Sequence, residues 1–164
     1  MFSLELTQRA AALIALYRSR GLKVTTAESC TGGLVAGLLT EIPGSSAVVE
    51  RGFVVYSNEA KAELLGVPWP TLASFGAVSG ETARAMAEGA VAHSHADVAV
   101  AVTGIAGPDG GTPEKPIGLV WFARAGGGRP TIALEQRYGP LSRSEIRLAS
   151  VRAALELLEQ AANG

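Results

Sequence analysis

Two loops of this chain carry side chains that could perform hydrolytic chemistry. The first reads Ala27-Glu28-Ser29-Cys30-Thr31-Gly32-Gly33, and the second runs from Thr103-Gly104 to Pro116. Each follows an apolar run rich in β-forming residues, and the first also opens a helix-like segment. In open α/β sheets, ligands bind beyond the carboxyl ends of the strands. The Ser29 hydroxyl and the backbone amides around it are therefore predicted to lie at a binding edge.

Ser29 has two interpretations. As a helix N-cap, Ser29 or Thr31 would accept a hydrogen bond from a backbone N–H, which is the commoner use of a hydroxyl at a helix start. As a nucleophile, Ser29 would use Gly32 and Gly33, which allow close approach of a ligand to the backbone. Each glycine costs roughly 0.8–1 kcal/mol in a helix relative to alanine, and a helix start favours a developing negative charge. The residues alone leave both interpretations open.

Lys61 is the residue that could activate the hydroxyl. If Asn58 is an N-cap, Lys61 lies in the first turn of a helix, where a cation faces the positive end of the helix dipole. It is either a surface lysine that bends into solvent or a lysine kept neutral by the dipole and by partial burial. A neutral amine can take a proton from serine. Tyr56, at the end of the preceding strand, either packs there or orients one of these two groups.

The remaining reactive residues give weaker signals. Cys30 is the only cysteine, and it is either a small buried residue or a rival nucleophile with a pKa lowered by the helix start. His93 and His95 are two residues apart, so a helix would point them in different directions. The chain has no Ser-His-Asp set at these loops, no metal-ligand cluster and no G-x-x-x-x-G-K-[ST] or G-x-G-x-x-G motif. We expect neither a metal nor a cofactor.

Helices and strands alternate along the chain. Predicted helices cover residues 4–19, residues from 34 to just before Pro43, residues 58–65, residues from Ser79 to about 93–95, and residues from about 142 to 161. Predicted strands cover residues 22–27, 48–56, 97–103, 117–125 and 131–138, the last two forming a hairpin. The segments from Pro68 to Ser79 and from Gly104 to Pro116 are predicted loops. This order predicts one domain over residues 1–164, with a three-layer α/β/α sandwich and a mixed β-sheet.

Composition narrows the class of protein. The 164 residues are 48% hydrophobic and 18% charged, with a net charge of −1. That balance indicates a globular domain and provides no electrostatic surface for nucleic acid. The N-terminus lacks the pattern of a signal peptide, and no apolar run reaches the ~18–20 residues of a membrane span. With a single cysteine, the sequence favours a cytoplasmic protein that binds neither a membrane nor nucleic acid directly.

The two loops, together with Gly52–Tyr56, Lys61 and Gly76-Ala77-Val78-Ser79, resemble the CinA C-terminal-domain family over nearly the whole chain. The enzymatic members of that family are nicotinamide mononucleotide amidohydrolases. The resemblance implies a Ser–Lys hydrolase that uses no metal. Ser29 would be the nucleophile and Lys61 the base, with Tyr56 beside them.

The resemblance also implies a set of substrate-binding residues. These lie in the first loop, on the opposite wall, in the glycine-rich segment and near the C-terminus: Thr31, Gly32, Gly33, Thr103, Gly104, Gly111, Thr112, Arg143 and Arg147. The two arginines are the candidates for the substrate phosphate. The family often has Gly-Asp-Arg where this chain reads Leu141-Ser142-Arg143, so the surroundings of that arginine differ.

The expected reaction is hydrolysis of the carboxamide of nicotinamide mononucleotide to nicotinic acid mononucleotide and ammonia. Two alternatives remain open: a non-catalytic nucleotide-binding or competence-related module, and a hydrolase of a different amide. A homodimer is also left open as the assembly.

Overall fold

A five-stranded mixed β-sheet forms the middle layer of the computed structural model, which describes residues 1–164. The strands are β1 (Val24–Glu28), β2 (Val49–Val54), β3 (Val98–Gly104), β4 (Leu119–Gly126) and β5 (Arg129–Arg137), in the spatial order β2-β1-β3-β4-β5. Strand β1 pairs in parallel with β2 and β3, and β4 pairs antiparallel with β3 and β5. The carboxyl ends of β1, β2 and β3 therefore meet at one edge.

Six α-helices cover the two faces of the sheet. They are α1 (Leu4–Ser19), α2 (Leu34–Thr40), α3 (Asn58–Leu65), α4 (Trp69–Phe75), α5 (Gly80–Ala92) and α6 (Arg143–Asn163). Helices α1, α2 and α6 pack in one apolar core, and α3, α4 and α5 pack in a second core on the other face. The predicted three-layer sandwich with a mixed sheet is confirmed. None of the six helices has the length and apolarity that crossing a bilayer would require.

The two faces of the central strand differ in side-chain size. Val98, Val100 and Val102 of β3 point into the core formed with α1 and α6, whereas Ala99 and Ala101 point towards α5. All five are fully buried, which explains why this strand has a continuous apolar run. The small residues on the second face let α5 pack close to the sheet.

One predicted loop is wrong. The segment after Pro68 forms helix α4, with Pro68 as the N-cap residue and Pro70 in the first turn. Proline is tolerated there because the first N–H groups of a helix have no intrahelical partner. Leu72, on the inner side of the helix, is buried. The prolines start this helix rather than preventing it.

A smaller correction concerns the start of α3. Ser57, not Asn58, is its N-cap, and the Ser57 hydroxyl accepts a hydrogen bond from the Ala60 N–H at 3.0 Å. Lys61 is therefore the fourth residue of the helix, one position further in than predicted. It remains within the first turn or so of α3 and points into the protein.

Candidate active site

Ser29 lies directly after β1, at the edge where the parallel strands end. Its N–H donates to the carbonyl of Val102 in β3 at 2.9 Å, and its side chain is 8% exposed. Gly32 and Gly33 follow with φ values of +58° and +97°, in the left-handed region that favours glycine. We call residues 29–33 the Ser29 loop. Its two glycines are required by the turn of the backbone.

Neither hydroxyl of the Ser29 loop caps α2, so the N-cap interpretation is wrong. The N-cap position belongs to Gly33, which has no side chain to offer. Glu28, which lies outside the helix, caps it instead. Its carboxylate accepts hydrogen bonds from the N–H groups of Val35 (2.8 Å) and Ala36 (3.0 Å). The Ser29 hydroxyl is therefore free for another interaction.

The Glu28 carboxylate is fully buried and has four donors. Besides the two helix amides, it accepts from the hydroxyls of Thr31 (2.7 Å) and Thr26 (3.2 Å). A buried charge is tolerated when its hydrogen-bonding capacity is used in this way. Glu28 thus fastens β1, the Ser29 loop and α2 to one another.

Lys61 reaches the Ser29 hydroxyl from α3. The Lys61 Nζ lies 3.1 Å from the Ser29 Oγ, 2.9 Å from the Val55 carbonyl and 3.1 Å from the Tyr56 carbonyl. The lysine is 1% exposed, and none of these partners is a carboxylate. Burial without a counter-ion lowers the pKa of Lys61 below its ordinary value.

The neighbouring thiol is shifted in the opposite sense. Cys30 is 6% exposed and belongs to the core that includes α1 and α6. Burial raises the pKa of Cys30 to about 11. The expectation that the helix start lowers this pKa is therefore wrong, because desolvation of the thiolate outweighs it. At neutral pH the thiol is protonated.

A cavity of about 190 Å³ opens onto Ser29 and Lys61. Its deep part holds those two side chains and Thr103, all buried, while exposed Tyr56 and Arg143 lie at its rim. The complete lining comes from five segments that are distant in the chain: Ser29, Cys30, Tyr56, Lys61, Ala77, Val78, Thr103, Gly104, Ala106 and Arg143.

Three of the predicted residues close the cavity in ways that the sequence did not reveal. The Tyr56 hydroxyl accepts a hydrogen bond from the Arg143 Nη2 at 3.2 Å, so it orients neither Ser29 nor Lys61. Arg143 also donates from its Nη1 to the carbonyl of Gly107 at 2.6 Å. The Thr103 hydroxyl donates to the Ala77 carbonyl at 2.8 Å and holds the opposite wall.

The structure thus brings six predicted site residues to one cavity: Ser29, Lys61, Tyr56, Thr103, Gly104 and Arg143. Six others lie outside its lining: Thr31, Gly32, Gly33, Gly111, Thr112 and Arg147. Thr31 is bound to Glu28, and Gly111 and Thr112 line a second cavity of about 750 Å³ that also includes Arg137 and Leu141. Arg147 donates to the Cys30 carbonyl at 3.1 Å and the Thr31 carbonyl at 3.3 Å.

The sequence predicted the backbone amides around Ser29 at this edge, but it did not show which backbone groups take part. The carbonyl of Val55 holds Lys61, and the N–H groups of Cys30, Thr31 and Ala106 have no protein acceptor. Cys30 and Ala106 also line the cavity, so their amides are available to a bound group. Ala77, Val78 and Ala106 were not named as site residues, although they lie in segments that carry the family resemblance.

The site residues do not form a cluster of metal ligands. Nowhere do three or more His, Cys, Asp or Glu side chains come together in a suitable arrangement. What the cavity does contain is a hydroxyl, a buried amine and unpaired amides within one small volume. These are the components of nucleophilic acyl transfer.

Comparison with known proteins gives similarities along most of the chain. A CinA-like protein of Akkermansia muciniphila is 52% identical over 149 residues, covering 90% of this chain but 36% of that protein. The nicotinamide-nucleotide amidohydrolase PncC of Enterobacter agglomerans is 52% identical over 143 residues, covering 87% of this chain and 86% of that protein. The chain spans 27% to 36% of the length of several curated relatives that it matches.

A crystal structure has nearly the same fold. The competence/damage inducible protein CihA of Agrobacterium tumefaciens superposes with a TM-score of 0.96 at 55% identity, covering 98% of both chains. The family model described as the CinA C-terminal domain matches residues 6–162. On the fold, the matched length and these identities, the chain belongs to the CinA C-terminal domain family.

Proposed function

We propose that this protein hydrolyses the carboxamide of nicotinamide mononucleotide, with Ser29 as the nucleophile and Lys61 as the base. The observation that carries the proposal is the 3.1 Å contact between the buried Lys61 Nζ and the Ser29 Oγ. The proposed substrate is taken from the names of relatives called nicotinamide-nucleotide amidohydrolase PncC, which are 52% and 61% identical to this chain over the aligned residues. Their names support the proposed substrate, and the geometry supports the proposed mechanism.

Three partners around Lys61 suit a proton transfer. A neutral amine has two N–H bonds and one lone pair. If the N–H bonds point to the carbonyls of Val55 and Tyr56, the lone pair faces the Ser29 hydroxyl. After the transfer, the ammonium has three N–H bonds for the same three oxygens. Lys61 can therefore take the proton without moving.

The chemical steps follow from this arrangement. The Ser29 Oγ attacks the carboxamide carbon while its proton passes to the Lys61 Nζ, and a tetrahedral oxyanion forms. The free N–H groups of Cys30 and Ala106 in the lining are candidate donors to that oxyanion. The C–N bond then breaks, Lys61 returns the proton to the nitrogen, and ammonia leaves.

Water completes the cycle. A water molecule gives a proton to Lys61 and attacks the acyl carbon of the Ser29 ester. The bond from carbon to the Ser29 Oγ breaks, Ser29 recovers the proton from Lys61, and nicotinic acid mononucleotide is released. Lys61 thus serves twice as base and twice as acid.

The cavity fits one part of the substrate. Its volume of about 190 Å³ is below the roughly 300–1,000 Å³ of most small-molecule pockets. It would hold the pyridine carboxamide, while the ribose and phosphate would lie at and beyond the rim of the cavity. Arg143 carries the charge there that a phosphate needs, and the Tyr56 ring, 64% exposed, presents a face to the pyridinium cation.

The deciding experiment is release of ammonia from nicotinamide mononucleotide by the purified protein. Turnover by the wild type and none by Ser29→Ala is the expected result. Nicotinamide riboside should be a poor substrate, and Arg143→Ala should raise the KM for the nucleotide more than it lowers kcat. If the wild type binds the nucleotide without releasing ammonia, the non-catalytic alternative holds. If it releases ammonia only from other carboxamides, the substrate assignment is wrong.

A further inference from the structure

Arg147 is a second arginine near the site, but it faces the backbone rather than the cavity. It lies on α6, is half-buried, and is absent from the cavity lining. Its Nε donates to the Cys30 carbonyl at 3.1 Å and its Nη2 to the Thr31 carbonyl at 3.3 Å. Both acceptors belong to the Ser29 loop. The guanidinium is therefore used by the protein itself and is not directed at a ligand.

These contacts fix the peptide planes that follow Cys30 and Thr31. The second of these planes carries the Gly32 N–H, which donates to the Ser29 carbonyl at 3.0 Å and so holds the plane before Cys30. In a trans peptide the C=O and N–H point in opposite directions. The Cys30 N–H therefore points away from the contact between Gly32 and the Ser29 carbonyl, and it has no protein acceptor.

The Ser29 loop is held by charged side chains from two sides. Glu28 accepts hydrogen bonds from N–H groups at the start of α2, just after the loop. Arg147 donates to the carbonyls of Cys30 and Thr31 within the loop. The two amides that immediately follow the nucleophile remain unpaired. A loop that is held by hydrogen bonds on both sides of these amides has little freedom to turn them away.

We propose that Arg147 is a positioning residue for the Cys30 amide. It holds the Thr31–Gly32 peptide, and the Gly32 N–H in turn holds the Ser29 carbonyl, so that the Cys30 N–H stays beside Ser29, where it can receive the oxyanion of an acyl-transfer reaction. This inference rests on the proposed Ser29 chemistry but not on the identity of the amide substrate. On this proposal Arg147 affects the rate of acylation, and Arg143 is the arginine that remains available to bind a phosphate.

Acylation of Ser29 by p-nitrophenyl acetate tests this without the nucleotide. Ser29 attacks the acetyl carbon, Lys61 takes the serine proton, and p-nitrophenolate leaves and is measured by its colour. Arg147→Met should slow the burst at least tenfold and up to about 100-fold, since misplacing a catalytic group by about 1 Å has effects of that size. Arg147→Lys, which can hold one carbonyl, should recover part of the rate.

Arg152→Met is the matched control. Arg152 lies on the same helix and pairs with Glu5, away from the cavity, so its loss should leave the burst unchanged. Thermal unfolding of each variant identifies misfolded protein, and the burst is scaled to the folded fraction. A burst in folded Arg147→Met that is slowed less than tenfold overturns the proposal.

The nucleotide separates this proposal from the proposed function. With nicotinamide mononucleotide, Arg147→Met should lower kcat and leave KM nearly unchanged. If KM for the nucleotide rises instead while the riboside is unaffected, Arg147 binds phosphate and the positioning proposal is wrong. If the wild type shows the ester burst but does not deamidate the nucleotide, the proposed substrate fails while the effect of Arg147 on the burst still decides its function.

Discussion

Lys61 occupies a position where a cation is costly. Its side chain is 1% exposed, and its three hydrogen-bond partners are two carbonyls and a hydroxyl. Burial therefore lowers its pKa, and the neutral form that can act as a base becomes accessible nearer to neutral pH. The property that makes the residue unfavourable for folding is the property that makes it useful as a base.

The first prediction concerns the activity of Lys61 variants. We expect Lys61→Arg to be as inactive as Lys61→Ala, because a guanidinium stays protonated at any working pH. In the wild type, kcat should rise with pH through the pKa of the folded state, which lies below the ordinary 10.5. Steady-state ammonia release at a series of pH values measures both effects. Near-normal turnover by the arginine variant would show that the residue supplies only charge.

The second prediction concerns stability and pH. The unfolded chain binds a proton at Lys61 up to about 10.5, whereas the folded chain loses it at a lower pH. Between those two pKa values the unfolded state holds more protons, so stability rises with pH. The unfolding free energy of the wild type should therefore increase relative to Lys61→Met across that window. Urea unfolding of the two proteins at matched pH tests the sign, and a difference that is flat or falls with pH contradicts it.

The third prediction separates Ser29 from Cys30. Ser29→Ala should abolish turnover, while Cys30→Ala should retain most of it and lose some stability through lost packing. Iodoacetamide should leave the wild type active, because burial keeps the thiol protonated with a pKa of about 11. Activity is followed by ammonia release. An inactive Cys30→Ala beside a merely slow Ser29→Ala would identify a thiol hydrolase instead.

The residue types in the sequence predicted which groups are reactive, but they predicted the surroundings of those groups less well. A serine before two glycines and a lysine near a helix start were visible in the sequence, and the family resemblance paired them. The partners of Lys61 were not visible, because a backbone carbonyl such as that of Val55 has no sequence signature. The position of Arg147 was also hidden, since a helical pattern shows which face a residue occupies and not which atoms it meets across the fold.

At the scale of elements, helix α5 shows where packing outweighs helix propensity. Gly89 lies in the last turn of α5 and faces the end of α3 at Leu65. A Cβ added there would lie 1.9 Å from the carbonyl oxygen of Leu65, which is backbone and cannot move aside without shifting α3. The glycine is thus fixed by the contact between the two helices that stand beside the Lys61 side of the site.

The fourth prediction compares two glycines in helices. Gly89→Ala should destabilise the protein, although alanine is intrinsically favoured in a helix by about 0.8–1 kcal/mol. Gly37→Ala, in α2, is the matched control, because its Cβ would lie 4.0 Å from the Phe2 ring and meet nothing closer. We expect that substitution to stabilise by about 0.5–1 kcal/mol. Chemical denaturation of both variants provides the comparison, and equal shifts in one direction would refute the packing argument.

The strands and most helices were predictable because their patterns are strong. A stretch of β-branched residues marked β1, a continuous apolar run marked β3, and Ser79 correctly marked the start of α5. Helix α4 was missed because a proline at its N-cap and another in its first turn resemble a loop signal. Whether a proline ends a chain segment or starts a helix depends on what the following residues can bury, and here that is Leu72 against the second core.

At the scale of the whole molecule, the site exists only because the sheet brings distant segments together. Ser29 follows β1, Lys61 lies after β2, Thr103 ends β3, and Arg143 begins α6. Parallel pairing of β1 with β2 and β3 places the first three at one edge. The topology predicts this convergence, but the size of the cavity depends on side-chain packing, which the sequence alone does not give.

The fifth prediction concerns stabilisation of the folded protein by a ligand bound at this site. A ligand that binds only the folded state stabilises it by about 2.7 kcal/mol at 100 times its Kd. Since Ser29→Ala keeps the cavity but cannot react, nicotinamide mononucleotide should raise its melting temperature by roughly 5–10 °C at that concentration, given about 2–4 °C per kcal/mol for a domain of this size.

The same thermal scans test the contribution of the phosphate. The riboside, which lacks the phosphate, should shift the melting temperature of Ser29→Ala much less at equal concentration, because it has no group for Arg143 at the rim. Adding Arg143→Ala to Ser29→Ala should remove most of the difference between the two ligands. Equal shifts from nucleotide and riboside in Ser29→Ala would mean that the phosphate is not bound by the protein, and the nucleotide would then have no advantage over any smaller pyridine carboxamide.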